Sequence, residues 1–141
     1  MTLKEIQEEI IEEFAVFDEW MDKYEFLIEL GQNLPAIDVK FKNNEYLING
    51  CQSKVWLNAE LIDGKVQFTA DSDAIITKGI VALLVRVLSN RAPEEIMNAK
   101  LFFIDHIGLT DNLSPTRSNG LVAMVKQMKL YGMAFNAKLN K

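Results

Sequence analysis

The chain is predicted to be organised around one short segment, residues 50–56, which reads Gly50-Cys51-Gln52-Ser53-Lys54-Val55-Trp56. Cys51 is the only cysteine in the 141 residues. Apolar segments on either side, at 46–48 and 55–57, are predicted to be strands, and Gly50 interrupts them. Cys51 is therefore predicted to lie on a turn or loop between two strands. A free cysteine is more commonly a small buried hydrophobe, but the polar residues that follow favour a reactive thiol, and both interpretations stay open.

Outward from this loop, the residues from about 37 to 70 are predicted to form a small antiparallel sheet of three or four strands. Val39 and Phe41 alternate with lysines, which is typical of a half-buried strand. Asp63-Gly64 separates two further alternating segments and is a strong signal for a hairpin turn. The predicted cysteine loop joins two strands of this sheet.

Helices are predicted before and after the sheet. The first helix begins with a capping box at Thr2-Leu3-Lys4-Glu5, and the second runs from about 18 to 30 with Gly31 as its stop signal. After the sheet, we expect a buried helix over 74–88, short helices that begin at Pro93 and span 101–107, and a last helix that begins at Ser114-Pro115. Strands grouped between helices are typical of the α+β class. The length of the chain predicts a single domain, residues 1–141.

Asp71-Ser72-Asp73 precedes the predicted buried helix. These side chains are expected to cap the free N–H groups of its first turn. An Asp-x-Asp metal site is the alternative, but two carboxylates rarely hold a metal ion without further ligands, and none is in register nearby.

Other kinds of catalytic site find little support in the sequence. A cysteine hydrolase would need Cys51 beside His106, the only histidine, with Asp105 as a third member, and nothing in the sequence places them together. Zinc sites need a cluster of cysteines and histidines, and iron–sulfur clusters usually need about four thiolates, so one cysteine cannot supply either.

Three ordered blocks resemble the signatures of the SufE family, whose members accept sulfur from cysteine desulfurases during iron–sulfur cluster assembly. The first is Gly50-Cys51-Gln52-Ser53-x-Val55-Trp56, the second is Asp71-Ser72-Asp73-Ala74-Ile75-Ile76-x-Lys78-Gly79, and the third is Leu113-Ser114-Pro115-Thr116-Arg117-Ser118-Asn119-Gly120-Leu121-x-Ala123-Met124. The similarity covers nearly the whole chain. It implies a small antiparallel sheet packed on one face by helices, similar to the IscU scaffold fold.

The resemblance also implies a function. Cys51 would be the nucleophile that forms a persulfide, Gly50, Gln52 and Ser53 would form the active-site loop, and Asp73 and Arg117 would support it. The chain would carry no cofactor, since pyridoxal phosphate belongs to the partner, a SufS-type cysteine desulfurase. Sulfur would pass to a downstream iron–sulfur scaffold. The chain would thus be a persulfide carrier and desulfurase activator rather than a stand-alone enzyme.

Two alternatives remain open. The same relay could serve another desulfurase or another acceptor, such as tRNA thiolation. The chain could also be a non-catalytic interaction module with an inert thiol.

A lowered pKa of the Cys51 thiol is not expected to be the main source of its reactivity, because the gain from a larger thiolate fraction is nearly cancelled by the lower nucleophilicity of each thiolate. Position against the partner's sulfur and shelter of the persulfide should matter more.

Composition and charge limit which partners and locations are expected. The net charge of −5 argues against nucleic acid as the main partner. No apolar run is long enough for a bilayer, no signal peptide is recognised, and a single cysteine fits a reducing cytoplasm, so a cytoplasmic protein without membrane contact is expected.

Residues 1–25 hold nine acidic residues and two lysines, whereas residues 115–141 hold five basic residues and no acid. This asymmetry could steer a partner or pair two copies head to tail as a homodimer.

Overall fold

The computed structural model describes residues 1–140, in which loops and 3₁₀ turns connect helices and one β-hairpin. In chain order the elements are α1 (Leu3–Ala15), α2 (Trp20–Gln32), β1 (Val55–Ile62), β2 (Lys65–Ser72), α3 (Ile75–Leu88), α4 (Pro93–Met97), α5 (Phe103–His106), α6 (Leu109–Asn112) and α7 (Pro115–Leu139). The α+β class predicted from the sequence is confirmed.

The hairpin forms where the sequence predicts it. β1 and β2 pair antiparallel from Val55 opposite Ser72 to Ile62 opposite Lys65. Asp63 and Gly64 take φ values of 52° and 78°, and positive φ at both turn residues matches the twist of the two strands. One face of the hairpin is buried against the helices, and Leu57 and Phe68 lie on it. The predicted packing of helices on one face of the sheet is therefore confirmed.

The prediction of three or four strands is wrong, because the sheet within residues 1–140 has two strands. Two 3₁₀ turns, Val39–Phe41 and Asn44–Tyr46, occupy this region. The Asp38 side chain accepts a hydrogen bond from the Lys40 N–H, and the Asn43 side chain accepts one from the Glu45 N–H. Such local side-chain bonds compete with strand pairing. Of the predicted strand at 46–48, an isolated bridge between Leu47 and Trp56 remains.

Helix α3 lies in the core, as its apolar sequence predicts, with Leu83, Leu84 and Val87 almost fully buried. It crosses α2 so closely that a Cβ added to Gly79 would lie 2.2 Å from the carbonyl oxygen of Leu27. Gly31 sits at the same crossing, inside α2 rather than just after it. The prediction that Gly31 ends α2 is therefore wrong, because tertiary contact rather than helix termination uses this glycine.

The predicted cap of α3 is also wrong. Asp71 and Ser72 are the last residues of β2, and the N-cap residue is Ala74, which gives no side-chain hydrogen bond. The Asp71 carboxylate instead pairs with Lys42 and Lys78, each 3.2 Å away. Burial raises the pKa of Asp71, but hydrogen bonds from the Ser72 N–H and both lysines outweigh it, so the net pKa is lowered.

The starts of α1, α4 and α7 agree with the sequence. Thr2 and Glu5 form the capping box of α1, with Thr2 Oγ1 accepting from the Glu5 N–H at 3.1 Å. Pro93 and Pro115 occupy the first turns of α4 and α7, and Ser114 caps α7. No helix of residues 1–140 is both long and apolar enough to cross a membrane.

Candidate active site around Cys51

Cys51 lies on a loop formed by residues 49–54, immediately before β1. A backbone hydrogen bond of 2.9 Å from the Ile48 N–H to the Val55 carbonyl closes the loop at its base. Gly50 has φ +94°, a conformation that L side chains rarely adopt, and a Cβ there would lie 3.2 Å from the Ala123 Cβ. A glycine therefore lets the loop turn tightly against α7 just before the thiol.

Asp73 holds the far end of the loop. Its carboxylate accepts a hydrogen bond from the Lys54 N–H at 3.0 Å, and its own N–H donates to the Lys54 carbonyl at 3.2 Å. These two bonds join the residue that follows β2 to the last residue of the loop. Asp73 thus fixes the backbone three residues beyond Cys51.

The Cys51 thiol points at α7. Sγ donates a hydrogen bond to the Gly120 carbonyl at 3.6 Å, within the range for sulfur. A Cβ at Gly120 would lie 3.6 Å from Sγ, which is ordinary contact, so α7 packs directly on the cysteine. Cys51 is partly buried, and this burial raises the pKa of its thiol above the ordinary value. The resting site thus favours the neutral thiol.

A cavity of about 220 Å³ lies next to the thiol. Its lining is drawn from the cysteine loop and the N-terminal halves of α3 and α7: Cys51, Gln52, Ser53, Thr77, Ile80, Ser114, Thr116, Arg117, Gly120 and Met124. The lining contains hydroxyls, an amide and a guanidinium but no carboxylate. The structure therefore brings together three segments far apart in the chain around one sulfur atom.

Arg117 lies in the first turn of α7 and is exposed. Its backbone N–H donates to Ser114 Oγ, and its guanidinium is 3.5 Å from the Tyr24 hydroxyl, which in turn donates to the Asn112 carbonyl. No carboxylate among residues 1–140 forms an ion pair with it. Arg117 thus lines the cavity as a cation that the described residues leave uncompensated.

His106 is absent from the lining of this cavity. Its Nδ1 is 2.7 Å from the Phe102 carbonyl, one turn earlier in the chain. No group of three metal-ligating side chains occurs within the described range, and Asp73 is engaged by the Lys54 N–H. Neither a Cys51–His106 dyad nor an Asp-x-Asp metal site is therefore supported by the geometry.

Sequence reasoning missed three kinds of lining residue. Thr77 is the one uncharged polar side chain of α3, a helix that is otherwise apolar except for Lys78 and Arg86, and that contrast could have marked it. The sequence pattern assigns Ser114 and Thr116 only to the start of α7, although they also face the cavity. Gly120 carries no signal of its own in the sequence, and its contact with Cys51 is visible only in the folded chain.

A larger apolar groove of about 500 Å³ runs along the outer side of α7 and includes Leu121, Val125 and Met133. It does not include Cys51. It holds no thiol, carboxylate or imidazole, so we place the chemistry at the smaller polar cavity.

The fold and site define a class: a small α+β protein with a lone loop thiol above a polar cavity. The sequence pattern described as "SufE: Fe-S metabolism associated domain" matches residues 8–131. The chain belongs to this family, which places it in iron–sulfur metabolism.

Individual relatives agree with this assignment. The chain is 37% identical over 127 residues to an uncharacterized SufE-like protein of Rhizobium meliloti, a match that covers 86% of this chain and 91% of that one. It is 39% identical over 132 residues to SufE-like protein 1, chloroplastic/mitochondrial, of Arabidopsis thaliana, covering 93% of this chain but 36% of the plant protein.

A solved structure has the same fold. It is the solution structure of a hypothetical protein from Thermus thermophilus, with a TM-score of 0.75 and 20% sequence identity. The match covers 92% of this chain and 94% of that chain. At this identity the likeness concerns the fold alone.

Proposed function

We propose that the protein is a sulfur carrier that takes persulfide sulfur from a cysteine desulfurase onto Cys51 and passes it on to iron–sulfur cluster assembly. The observation that carries this proposal is a partly buried loop thiol facing a polar cavity of about 220 Å³. A bound water occupies ~30 Å³, so the cavity has ample room for one added sulfur atom. Membership of the SufE family supports the same pathway.

The transfer step needs only one cysteine on this chain. The Cys51 thiolate attacks the outer sulfur of the persulfide on the partner's cysteine. A new S–S bond forms on Cys51, the partner's S–S bond breaks, and the partner's thiolate leaves. No net oxidation occurs, and the pyridoxal phosphate that generates the persulfide stays on the desulfurase.

Burial of the thiol favours a role for position over acidity. The pKa of Cys51 is raised, so less thiolate is present at neutral pH, while each thiolate that forms is intrinsically more nucleophilic. With a Brønsted slope of ~0.4–0.5 these effects offset each other in part. The benefit of burial is shelter, because a persulfide inside the cavity is kept from thiols in solution.

Asp73 and Arg117 are positioning residues in this proposal. Asp73 holds the loop through its bonds to Lys54, and Arg117 stands at the cavity wall. Gly50 allows the tight turn, while Gln52 and Ser53 line the cavity beside the thiol. None of these residues needs to exchange a proton with the sulfur for the transfer to proceed.

Exposed apolar side chains beside the loop support a partner surface there. Val122 is 66% exposed and Leu130 is 43% exposed. Both line a groove of about 480 Å³ that begins at Asn49 and Gly50 and runs along α7 past Lys126. Apolar side chains exposed together mark interaction sites, and this groove adjoins the cysteine loop, so we propose that the SufS-type desulfurase docks here.

Alternatives within the same chemistry concern the destination of the sulfur. A relay to tRNA thiolation or from another desulfurase would use the same loop and cavity, and the downstream scaffold remains a prediction. The cytoplasmic location also stays a prediction. A non-catalytic interaction module differs in kind, since it would have no use for the cavity beside the thiol.

The test is to incubate the protein with a cysteine desulfurase, cysteine and pyridoxal phosphate and to measure the mass of the intact chain. Wild type should gain one sulfur, and Cys51→Ser should gain none because a serine hydroxyl forms no persulfide. Asp73→Ala should still gain sulfur, but roughly tenfold more slowly. This factor corresponds to an activation free energy higher by ~1.4 kcal/mol when the loop is less well positioned.

A binding titration of Cys51→Ser with the desulfurase is the control. Binding should persist, because a specific interface extends well beyond one side chain. If Cys51→Ser still stimulates the desulfurase fully without added reductant, the relay is wrong and an allosteric binding module is the better account.

A further inference from the structure

Tyr24 contacts the candidate active site from outside the cavity. It lies on α2 and is absent from the lining of the cavity beside Cys51, so any effect on the sulfur must pass through other residues. Its hydroxyl donates to the Asn112 carbonyl at 3.1 Å, and the Arg117 guanidinium donates to that hydroxyl at 3.5 Å. Asn112 is the last residue of α6, and the N-cap of α7 follows two residues later. Tyr24 thus connects α2 to the part of the chain that forms one wall of the cavity.

The chemistry of the groups fixes the directions of these two bonds. A hydroxyl has one proton to donate, and Tyr24 gives its proton to the Asn112 carbonyl. A guanidinium is a donor only, so the lone pairs of the Tyr24 oxygen accept from Arg117. The bond to the carbonyl therefore sets the rotation of the hydroxyl and leaves its lone pairs to the guanidinium.

The ring of Tyr24 is held in turn by the first turn of α2. The Trp20 ring packs edge-on against it, with 5.1 Å between the ring centroids. A Cβ at Gly108 would lie 3.7 Å from the Trp20 ring, and Lys23 Nζ donates to the Ile107 carbonyl at 3.4 Å. The start of α2 is therefore fastened to the chain before α6, and the Tyr24 hydroxyl has a defined position.

Arg117 needs such a support because its side chain is long and exposed. Holding a free arginine side chain in one rotamer costs conformational entropy. A carboxylate could hold it but would offset its charge, and no carboxylate among residues 1–140 pairs with it. The Tyr24 hydroxyl is neutral, so it orients the guanidinium and leaves the positive charge available at the cavity wall.

The proposed sulfur transfer moves a negative charge in this cavity. The Cys51 thiolate attacks the outer sulfur of the partner's persulfide, so that sulfur joins Cys51 while the charge passes to the partner's thiolate. A cation that is fixed in advance stabilises the moving charge without having to reorganise during the reaction. Among the residues that line the cavity, Arg117 alone has a permanently charged side chain.

We propose that Tyr24 is a positioning residue for sulfur transfer, and that its hydroxyl holds Arg117 at the cavity wall. The inference rests on the proposed function of Cys51 as a sulfur carrier and deepens it. Tyr24 lies outside the three sequence blocks that carry the family resemblance. It also lies away from the groove proposed for the desulfurase, which runs from the cysteine loop along α7. Loss of its hydroxyl should therefore slow the transfer step and leave docking intact.

The experiment measures single-turnover transfer from a desulfurase that carries its persulfide, at rising desulfurase concentration, by the intact mass of the full-length chain. Tyr24→Phe removes the hydroxyl and keeps the ring that packs on Trp20. It should lower the maximal rate by roughly threefold to tenfold, as expected for one hydrogen bond, and leave the half-saturating concentration unchanged. Tyr46→Phe is the matched control, since Tyr46 is outside the cavity lining, and it should change neither quantity.

A double-mutant cycle separates action through Arg117 from a general effect on the fold. Arg117→Gln should lower the maximal rate by roughly tenfold or more. Adding Tyr24→Phe to it should cause no further loss, because the side chain that the hydroxyl holds is already gone. Urea denaturation of each variant checks that the rates belong to folded protein.

Several outcomes would overturn the role of Tyr24 and leave the relay standing. These are an unchanged maximal rate in Tyr24→Phe, losses that multiply in the double variant, and an effect confined to the half-saturating concentration. Wild type that gains no sulfur would instead reject the proposed function, and the role of Tyr24 with it.

Discussion

Cys51 combines two properties that are often opposed in reactive cysteines. It has access to a polar cavity, yet the pKa of its thiol is raised by burial. Many catalytic cysteines have the opposite shift, with a lowered pKa and a stable thiolate. The sulfur carrier that we propose would have to hold a labile persulfide as well as attack a partner, and partial burial would serve the first task.

The pH dependence of alkylation tests this directly at the residue scale. Burial favours the neutral thiol in the folded chain, so the folded pKa lies above the unfolded one. The rate of iodoacetamide labelling should therefore reach half its maximum at a higher pH in native protein than in urea-unfolded protein. By linkage, this thiol lowers folding stability as pH rises past the unfolded pKa. Cys51→Ser provides the blank, and a native midpoint at or below the unfolded one would contradict the prediction.

At the scale of elements, the crossing of α2 and α3 determines where Thr77 lies. Gly31 and Gly79 let the two helix backbones touch, since a Cβ at Gly31 would lie 2.8 Å from the Gly79 backbone nitrogen. Thr77 precedes this contact by two residues and reaches the cavity from the first turn of α3. The packing of two helices thus sets the position of a cavity wall.

Gly79→Ala should destabilise the protein strongly, because its new Cβ would lie 2.2 Å from a backbone oxygen of α2. The helices would have to move apart, and we expect a loss of at least ~2 kcal/mol in the free energy of unfolding. Urea denaturation measures the loss. Gly120→Ala is the matched control, since its Cβ would make ordinary contact at 3.6 Å, and helix propensity favours alanine by ~1 kcal/mol. Similar stabilities for both variants would show that the crossing tolerates a side chain.

At the scale of the whole molecule, charge is divided between the two ends of the chain. The acidic residues of 1–25 lie along α1, the following turn and α2, while α7 carries basic residues; Lys141 belongs to the same basic stretch but lies outside the described residues. Lys126 lines the groove that begins at Asn49 and Gly50. Head-to-tail pairing of two copies stays a prediction.

Association with the desulfurase should slow several-fold between low and physiological salt, because screening weakens steering by exposed charges. Lys126→Gln should lower the association rate at low salt and flatten its salt dependence, while Lys65→Gln at the hairpin turn should do neither. Stopped-flow mixing at several salt concentrations measures both. An association rate that salt leaves unchanged would reject electrostatic steering.

Features that depend on neighbours in the chain could be predicted from the residues alone. The capping box at Thr2, the turn at Asp63-Gly64 and the start of α7 at Ser114 each need residues at most a few positions apart. Their hydrogen bonds form locally, so their residue types suffice to predict them. The resemblance of the three blocks likewise indicated the family to which the chain belongs.

Contacts between distant segments could not be predicted in this way. Asp73 looked like a helix cap but bonds to Lys54, 19 residues earlier, and Gly31 looked like a helix end but packs on Gly79. Strand number also depended on competition between local 3₁₀ turns and long-range pairing. The cavity is the clearest case, because Cys51 and Gly120 touch across 69 residues of chain. Such contacts form through packing of the folded chain, which local residue patterns do not encode.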